Sequence, residues 1–261
     1  MGPVERTPPL KPLLLLDLDG VLRSFPPLPG HVAEAAFEPA LLHRAVTGRI
    51  SDEQWRREVG AGFAATPGEV VVEALALVRA ARQRCFVALL TNATTRLEAD
   101  LALLGLDGEF DAVFSSARLG LAKPDSAVFR RVLDELGYET AVFCDDSAEN
   151  AAAARTAGLD GVHVPDTAAL RTALAVRGLI PATVLVILPD RDEAEELAAS
   201  LLAGGWEPCA VHRDMLAGED DAEDVDWVIE LTTAPDGSPA SAHRAELDDL
   251  AERHDGFTDD G

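Results

Sequence analysis

Short, unbroken apolar runs recur through the first 165 residues, and each ends in polar residues. Leu13–Asp17 closes on an acid, Phe86–Thr91 runs into Asn92, and Ala141–Cys144 ends at Asp145 and Asp146. Ala112–Phe114 and Gly161–Val164 are shorter runs of the same kind. Runs of this length without alternation belong to strands buried on both faces. Between them, Glu69–Arg84, Thr95–Leu104, Ala127–Leu136 and Glu149–Ala157 read as amphipathic helices. The alternation predicts an α/β fold with a Rossmann-like parallel sheet covered on both sides. Ligands of such sheets gather at the carboxyl ends of the strands, which is where Asp17, Asn92, Asp145 and Asp146 fall.

The stretch from about Ser24 to Pro67 breaks the rhythm. A proline-rich entry, Phe25–Gly30, leads into helical segments around Val32–Val46 and Asp52–Phe63, with Ser51 as N-cap of the second. It reads as a small helical cap, over residues 24–67, inserted after the first strand. A boundary near Arg177–Pro181 closes a first domain of residues 1–178, and the pattern restarts over 182–261. Thr183–Leu188, Glu207–Val211 and Asp226–Leu231 read as strands, with helices over Asp192–Ala203 and Ser241–Arg253. That order predicts a small ferredoxin-like α+β domain. The closing strand it requires would have to lie in Gly256–Gly261, which is too short and acidic to assign. An acidic loop, EDDAEDVD, spans 219–226.

Composition narrows the function classes. The chain has 261 residues, 46 Asp and Glu against 22 Lys and Arg, and a net charge of −24. Such a surface repels nucleic-acid backbones and anionic lipid, and the longest apolar run is far short of the roughly 20 residues that span a bilayer. Neither nucleic acid nor membrane is an expected partner. Met1 to Lys11 carries prolines and no signal core, and Cys85, Cys144 and Cys209 read as reduced, buried thiols. The expected location is cytoplasmic. The charge is uneven: residues 1–181 carry a net −6 and residues 182–261 a net −18. An anionic ligand of the first domain therefore meets only a mildly acidic field.

Two carboxylates at i and i+2, Asp17 and Asp19, leave the first strand together, with Gly20 permitting a tight exit. Alone, that could be an acidic turn. The set of four motifs resembles the haloacid dehalogenase-like hydrolase superfamily, in particular its capped phosphatases, over residues 12–178. LLLLDLDGV matches the first motif, VALLTN the second, Lys123-Pro124 in LAKPD the third, and Asp145-Asp146 in VFCDDSAEN the fourth, in the family's order. The resemblance implies Asp17 as nucleophile, Asp19 as general acid and base, and Lys123 as the neutralising cation. It implies Thr91 and Asn92 on the phosphate, and Mg²⁺ held by Asp17, the Asp19 carbonyl and Asp146, with Asp145 a ligand or an outer partner. Lys123 is one of only two lysines, and a compact ammonium suits such a site better than a guanidinium. Thr91 could instead merely end its strand, and Asp145 could cap the next helix. Ser147 reads as the N-cap of that helix. Arg23 could face substrate or solvent.

The second Asp of the first motif separates metal-dependent phosphate chemistry from dehalogenation. The expected activity is hydrolysis of a small phosphorylated metabolite through an aspartyl-phosphate. A sugar phosphomutase shares the motifs but needs a more enclosing cap than residues 24–67 offer. Residues 182–261 resemble the ribonuclease E inhibitor family (regulator of ribonuclease activity B) in strand–helix order and in the ending HDGFTDDG. That implies an acidic regulatory module with a protein partner; the alternative is an appendage that only stabilises. The chain could also act mainly through this domain. Asp190, Asp192 and Glu193 favour the start of a helix rather than a metal site. Trp55 reads as packing within the cap, and no two of the six histidines have metal-ligand spacing.

Overall fold

The computed structural model describes residues 11–60, 63, 66–213 and 226–260. The acidic stretch 219–225 and Met1–Leu10 lie outside these described residues. The chain divides into two compact units, one running to Ala173 and the other from Leu174.

The first unit is built on strands β1 (Leu13–Leu16), β4 (Phe86–Thr91), β5 (Ala112–Ser115), β6 (Val142–Asp145) and β7 (Asp160–His163). They pair in parallel in the order β5-β4-β1-β6-β7. All four leucines of β1 are buried, because helices cover both faces, and this is why no polar residue alternates in the run. Four helices connect the strands: α4 (Val72–Arg82), α5 (Leu97–Leu104), α7 (Ser126–Leu136) and α8 (Ala148–Thr156). A short α6 (Ser116–Leu119) and a terminal α9 (Thr167–Ala175) complete the set. On one face Leu13, Leu15, Ala88 and Leu90 pack with Val128, Phe129 and Val132 of α7. Phe129 meets Phe143 edge to face at 5.1 Å. Connections from β1 run outward to β4 and β5, then return to β6 on its other side. The switch point thus lies between β1 and β6, where a crevice forms at the strand ends.

The insertion consists of α1 (Gly30–Ala36), α2 (Pro39–Val46) and α3 (Asp52–Val59) above an antiparallel ribbon of β2 (Arg23–Ser24) and β3 (Glu69–Val70). The segment read around Val32–Val46 is two helices. Pro39 has no N–H and cannot continue α1; it opens α2 instead, while Glu38 caps the Ala40 and Leu41 amides. Ser51 caps α3 as expected, in a reciprocal capping box with Gln54. Glu69 and Val70, read as helical, form the ribbon.

The second unit contains β8 (Val184–Leu188), α10 (Arg191–Ala203), β9 (Glu207–Arg213), β10 (Trp227–Thr233), α11 (Arg244–Glu252) and β11 (Phe257–Asp260). Its sheet is antiparallel in the order β11-β8-β10-β9, the ferredoxin-like arrangement. Val184, Val186 and Leu188 pack with Leu197, Leu201, Ile229, Leu231 and Leu247. The closing strand does form, antiparallel to β8. As an edge strand with Phe257 and Asp259 exposed, it tolerates the acidic residues that hide it from the sequence pattern, and such charge blunts an open edge. Asp190 accepts the Glu193 amide at the head of α10, a capping role.

Candidate active site

β1 ends because its apolar run meets Asp17, whose amide still donates to the Cys144 carbonyl at 3.0 Å. The chain then turns sharply: the Leu22 and Arg23 amides both donate to the Leu18 carbonyl at 2.8 Å. Gly20 sits in this turn at φ +79°, where an L side chain is strained, and a Cβ there would lie 2.0 Å from Asp146 Oδ2. Both facts demand glycine. The turn of the first motif therefore brings its backbone against the carboxylate that follows β6.

Lys123 is buried at the floor of the crevice, 4% exposed. Its Nζ lies 2.8 Å from Asp17 Oδ1, 2.6 Å from Asp145 Oδ2 and 3.0 Å from the Leu90 carbonyl. Three donors meet three acceptors, which is the full capacity of an ammonium. Burial works against the charge on Lys123, but Asp17 and Asp145 outweigh it and its pKa rises. For Asp17 burial dominates: its pKa is pushed up from 3.8 to about 7, although Lys123 pulls the other way and Asp145 adds to the rise. Asp17 Oδ1 also accepts the Leu18 amide at 2.8 Å, so Oδ2 has the lone pairs to spare.

Asn92 follows β4 at the strand end, and its amide engages the backbone of Lys123. Its Nδ2 donates to the Lys123 carbonyl at 2.8 Å and its Oδ1 accepts the Lys123 amide at 2.9 Å. This paired clamp fixes the loop that carries the lysine. Thr91 is fully buried at the end of β4, and its hydroxyl has no hydrogen-bond partner among the described residues. An unpaired buried hydroxyl costs roughly 1–3 kcal/mol. A ligand oxygen would meet that demand.

Asp145 is completely buried; besides Lys123 it accepts the Ser147 amide at 2.9 Å and Asn150 Nδ2 at 3.0 Å. Ser147 itself caps α8, as expected. Asp146 is exposed, and partial burial together with the charge of Asp145 raises its pKa. Its carbonyl is held by His163 Nε2 at 2.9 Å. Oxygens of Asp17, Asp145 and Asp146 lie within 4.8 Å of one another. Three carboxylates around one ammonium leave excess negative charge, and an all-oxygen donor set suits a hard cation such as Mg²⁺. The residues fit the ion.

Asp19 shows a link that the sequence left undecided. Its Oδ1 lies 2.5 Å from Arg23 Nε, and Arg23 is buried with only 5% of its side chain exposed. Arg23 Nη1 reaches Asp100 Oδ2 at 3.5 Å, and Asp100 is in turn held by Arg96 at 2.6 Å. Asp100 was not visible as a site residue. The i,i+4 spacings Asp19/Arg23 and Arg96/Asp100 were the available signal. Asp19 itself remains 41% exposed. The helical insertion is fastened beside it: Thr94 Oγ1 donates to Asp52 Oδ1 at 2.7 Å, and the Asp52 amide donates to Thr95 Oγ1 at 3.0 Å.

Residues 30–158 match the family haloacid dehalogenase-like hydrolase, a stretch that holds Thr91, Asn92, Lys123, Asp145 and Asp146. The first unit is similar to haloacid dehalogenase-like hydrolases over that stretch. Asp17 and Asp19 lie upstream of the matched stretch, and it is the fold that joins them to it. A solved haloacid dehalogenase family enzyme of Bacteroides thetaiotaomicron superposes with a TM-score of 0.50 at 18% identity, covering 59% of this chain and 93% of that one. The same enzyme as a magnesium complex gives 0.50 at 19% identity over the same shares of the two chains. Among curated proteins, a sesquiterpene phosphatase of Aspergillus oryzae is 37% identical over 73 residues, 27% of this chain and 36% of its own length. A drimenol cyclase of Aspergillus calidoustus is 42% identical over 55 residues, 20% of this chain and 10% of its own. The chain thus spans only about a third of the first relative and a tenth of the second. Among the described residues, no helix is long and apolar enough to cross a membrane.

Proposed function

We propose that the first unit is a Mg²⁺-dependent phosphatase acting on phosphate monoesters through an aspartyl-phosphate, with the helical insertion as its cap. The observation that carries this reading is the Lys123 ammonium seated between Asp17 and Asp145, beside Asp146. A carboxylate cannot approach a phosphate dianion without positive charge at hand. Lys123 supplies part of it, and bound Mg²⁺ would supply the rest while polarising the phosphoryl oxygens. Asp17, Asp146 and the backbone at Asp19 would hold the ion. Asp145, with its oxygens given to Lys123, Ser147 and Asn150, orients the lysine.

Asp17 attacks phosphorus; the ester P–O bond breaks and Asp19 gives its proton to the departing alkoxide. Asp19, now a carboxylate, takes a proton from water as that water attacks the aspartyl-phosphate. Inorganic phosphate leaves and Asp17 is restored. Thr91 offers its unpaired hydroxyl to a phosphate oxygen, and Asn92 acts by fixing the Lys123 main chain. Local similarity to a protein named a sesquiterpene phosphatase supports phosphate rather than halide as the leaving chemistry.

Hydrolysis of p-nitrophenyl phosphate should require Mg²⁺ and stop on chelation; metal-independent turnover at the same rate would overturn the reading. A phosphomutase would move phosphate without releasing it. A chain acting only through its acidic second unit, as a regulatory partner of another protein, would release none.

Arg23 enters the same reading as a positioning residue. Arg23→Gln is expected to lower kcat about 10- to 100-fold with KM changed less than about threefold, since Asp19 works only in the transition state. Arg23→Lys should recover part of the loss. A change confined to KM would place Arg23 on the substrate instead.

A further inference from the structure

A cavity of about 450 Å³ opens in the first unit, lined by cap residues and by the loops that carry the site. Asp19, Arg23 and Asn92 form one end of it. Most of the remaining wall is apolar: Phe25, Leu28, Phe37, Leu42, Trp55 and Phe63. Trp55 and Phe63 meet edge to face at 4.8 Å, and Trp55 packs with Ala36, Ala45 and Ile50 in a small core of the cap's own. The apolar wall is therefore preformed. It begins at the catalytic end, because the Phe25 ring lies 4.8 Å from the Arg23 guanidinium that holds Asp19. Phe25 and Phe37 keep 45% and 59% of their surface exposed, an unusual expense for aromatic rings at a rim.

The polar groups in the wall are already engaged with one another. Asp52 holds Arg56 and receives Thr94, and Asp100 holds Arg23 and Arg96. A polyhydroxylated ester would give up its water here and find few partners in return. Among the buried polar atoms of this wall, Trp55 Nε1 and Arg56 Nη1 lack a partner among the described residues.

We propose that the substrate is a phosphate monoester of an apolar alcohol, its phosphate at Asp17 and its hydrocarbon against the aromatic wall of the cap. This rests on the phosphatase reading and adds the substrate class to it. The cavity lies within the usual range for sites that enclose a ligand of drug size.

The test uses the full chain with Mg²⁺ and n-alkyl phosphates from ethyl to decyl, below their micellar concentrations, with p-nitrophenyl and glucose 6-phosphates as comparators. kcat/KM should rise two- to fourfold per methylene through about eight carbons, near the limit of full burial of each CH₂. Glucose 6-phosphate should do no better than the ethyl ester. A flat series, or preference for the sugar, overturns the inference while leaving the phosphatase intact. Failure to hydrolyse any ester overturns the phosphatase instead, and calorimetry then decides the cavity. Alkylphosphonates should bind more tightly with chain length and with negative heat-capacity change; affinity independent of length would overturn the apolar site. Phe37→Asp, at an exposed position, should cut the decyl-to-ethyl preference at least tenfold, and an unchanged ratio would also count against it.

Discussion

Methionine in place of Lys123 is expected to destabilise the first unit by about 3–5 kcal/mol and to reduce hydrolysis to background. The cause is the carboxylate pair left behind. Asp17 and Asp145 both bond the ammonium, at 2.8 and 2.6 Å, and are 6% and 0% exposed. Without Lys123 two buried acids face each other with nothing between them, and the Leu90 carbonyl loses its donor as well. Urea denaturation at pH 8 measures the loss; a change below about 1 kcal/mol would mean that the lysine is not the counter-ion of the pair. Lys123→Arg should fail too, because a planar fork cannot fill a socket shaped for three converging acceptors.

Asp17→Asn should have a split outcome: activity falls at least about 10³-fold, yet the metal-free chain becomes more stable at pH 8. Loss of activity follows from loss of the proposed nucleophile. The stability gain follows from linkage. Burial raises Asp17 from 3.8 to about 7, so between these values the folded chain binds more protons than the unfolded one. Stability from this group therefore falls as pH rises from about 4 to about 7 and levels off above. The full shift corresponds to an upper bound of roughly 4 kcal/mol. An amide does not titrate, and in its place the lysine is left balanced by Asp145 alone. Denaturation in chelator at pH 5 and pH 8 reads the effect: wild type should weaken toward pH 8 more than the variant. The opposite order would contradict the strained burial of Asp17.

Much of this fold was legible because burial on both faces leaves little room for polar residues. The runs LLLL, FVALLT and VFC have to be apolar throughout, so the residues that end them stand out, and Asp17, Lys123, Asp145 and Asp146 lie together at the strand ends. Less legible were features set by contacts far apart in sequence. Arg23 meets Asp100 across 77 residues, a pairing that no local pattern encodes. Asn92 occupies its expected place, but its amide is turned onto the Lys123 backbone, a choice made by two loops meeting at strand ends. The cap cavity draws on the proline-rich entry, all three cap helices and the loop after β4, so no single segment announces it. Finally, the place of β11 was expected at Gly256–Gly261 but its residues could not assign it, because an edge strand need bury little of itself.

The paired threonines that fasten the cap bear on how selectivity could be exchanged. Thr94 and Thr95 grip Asp52 from the loop that also carries Asn92, and Asn92 in turn clamps the main chain of Lys123. Cap, loop and lysine are thereby one mechanical linkage. A graft of residues 24–67 into another scaffold would arrive without its anchor and float above a foreign site. Transplanting the loop 92–96 with it would carry over the alignment between the chamber and the reacting carboxylate. The selectivity module of this enzyme is therefore discontinuous in sequence, and its smallest portable form consists of two segments.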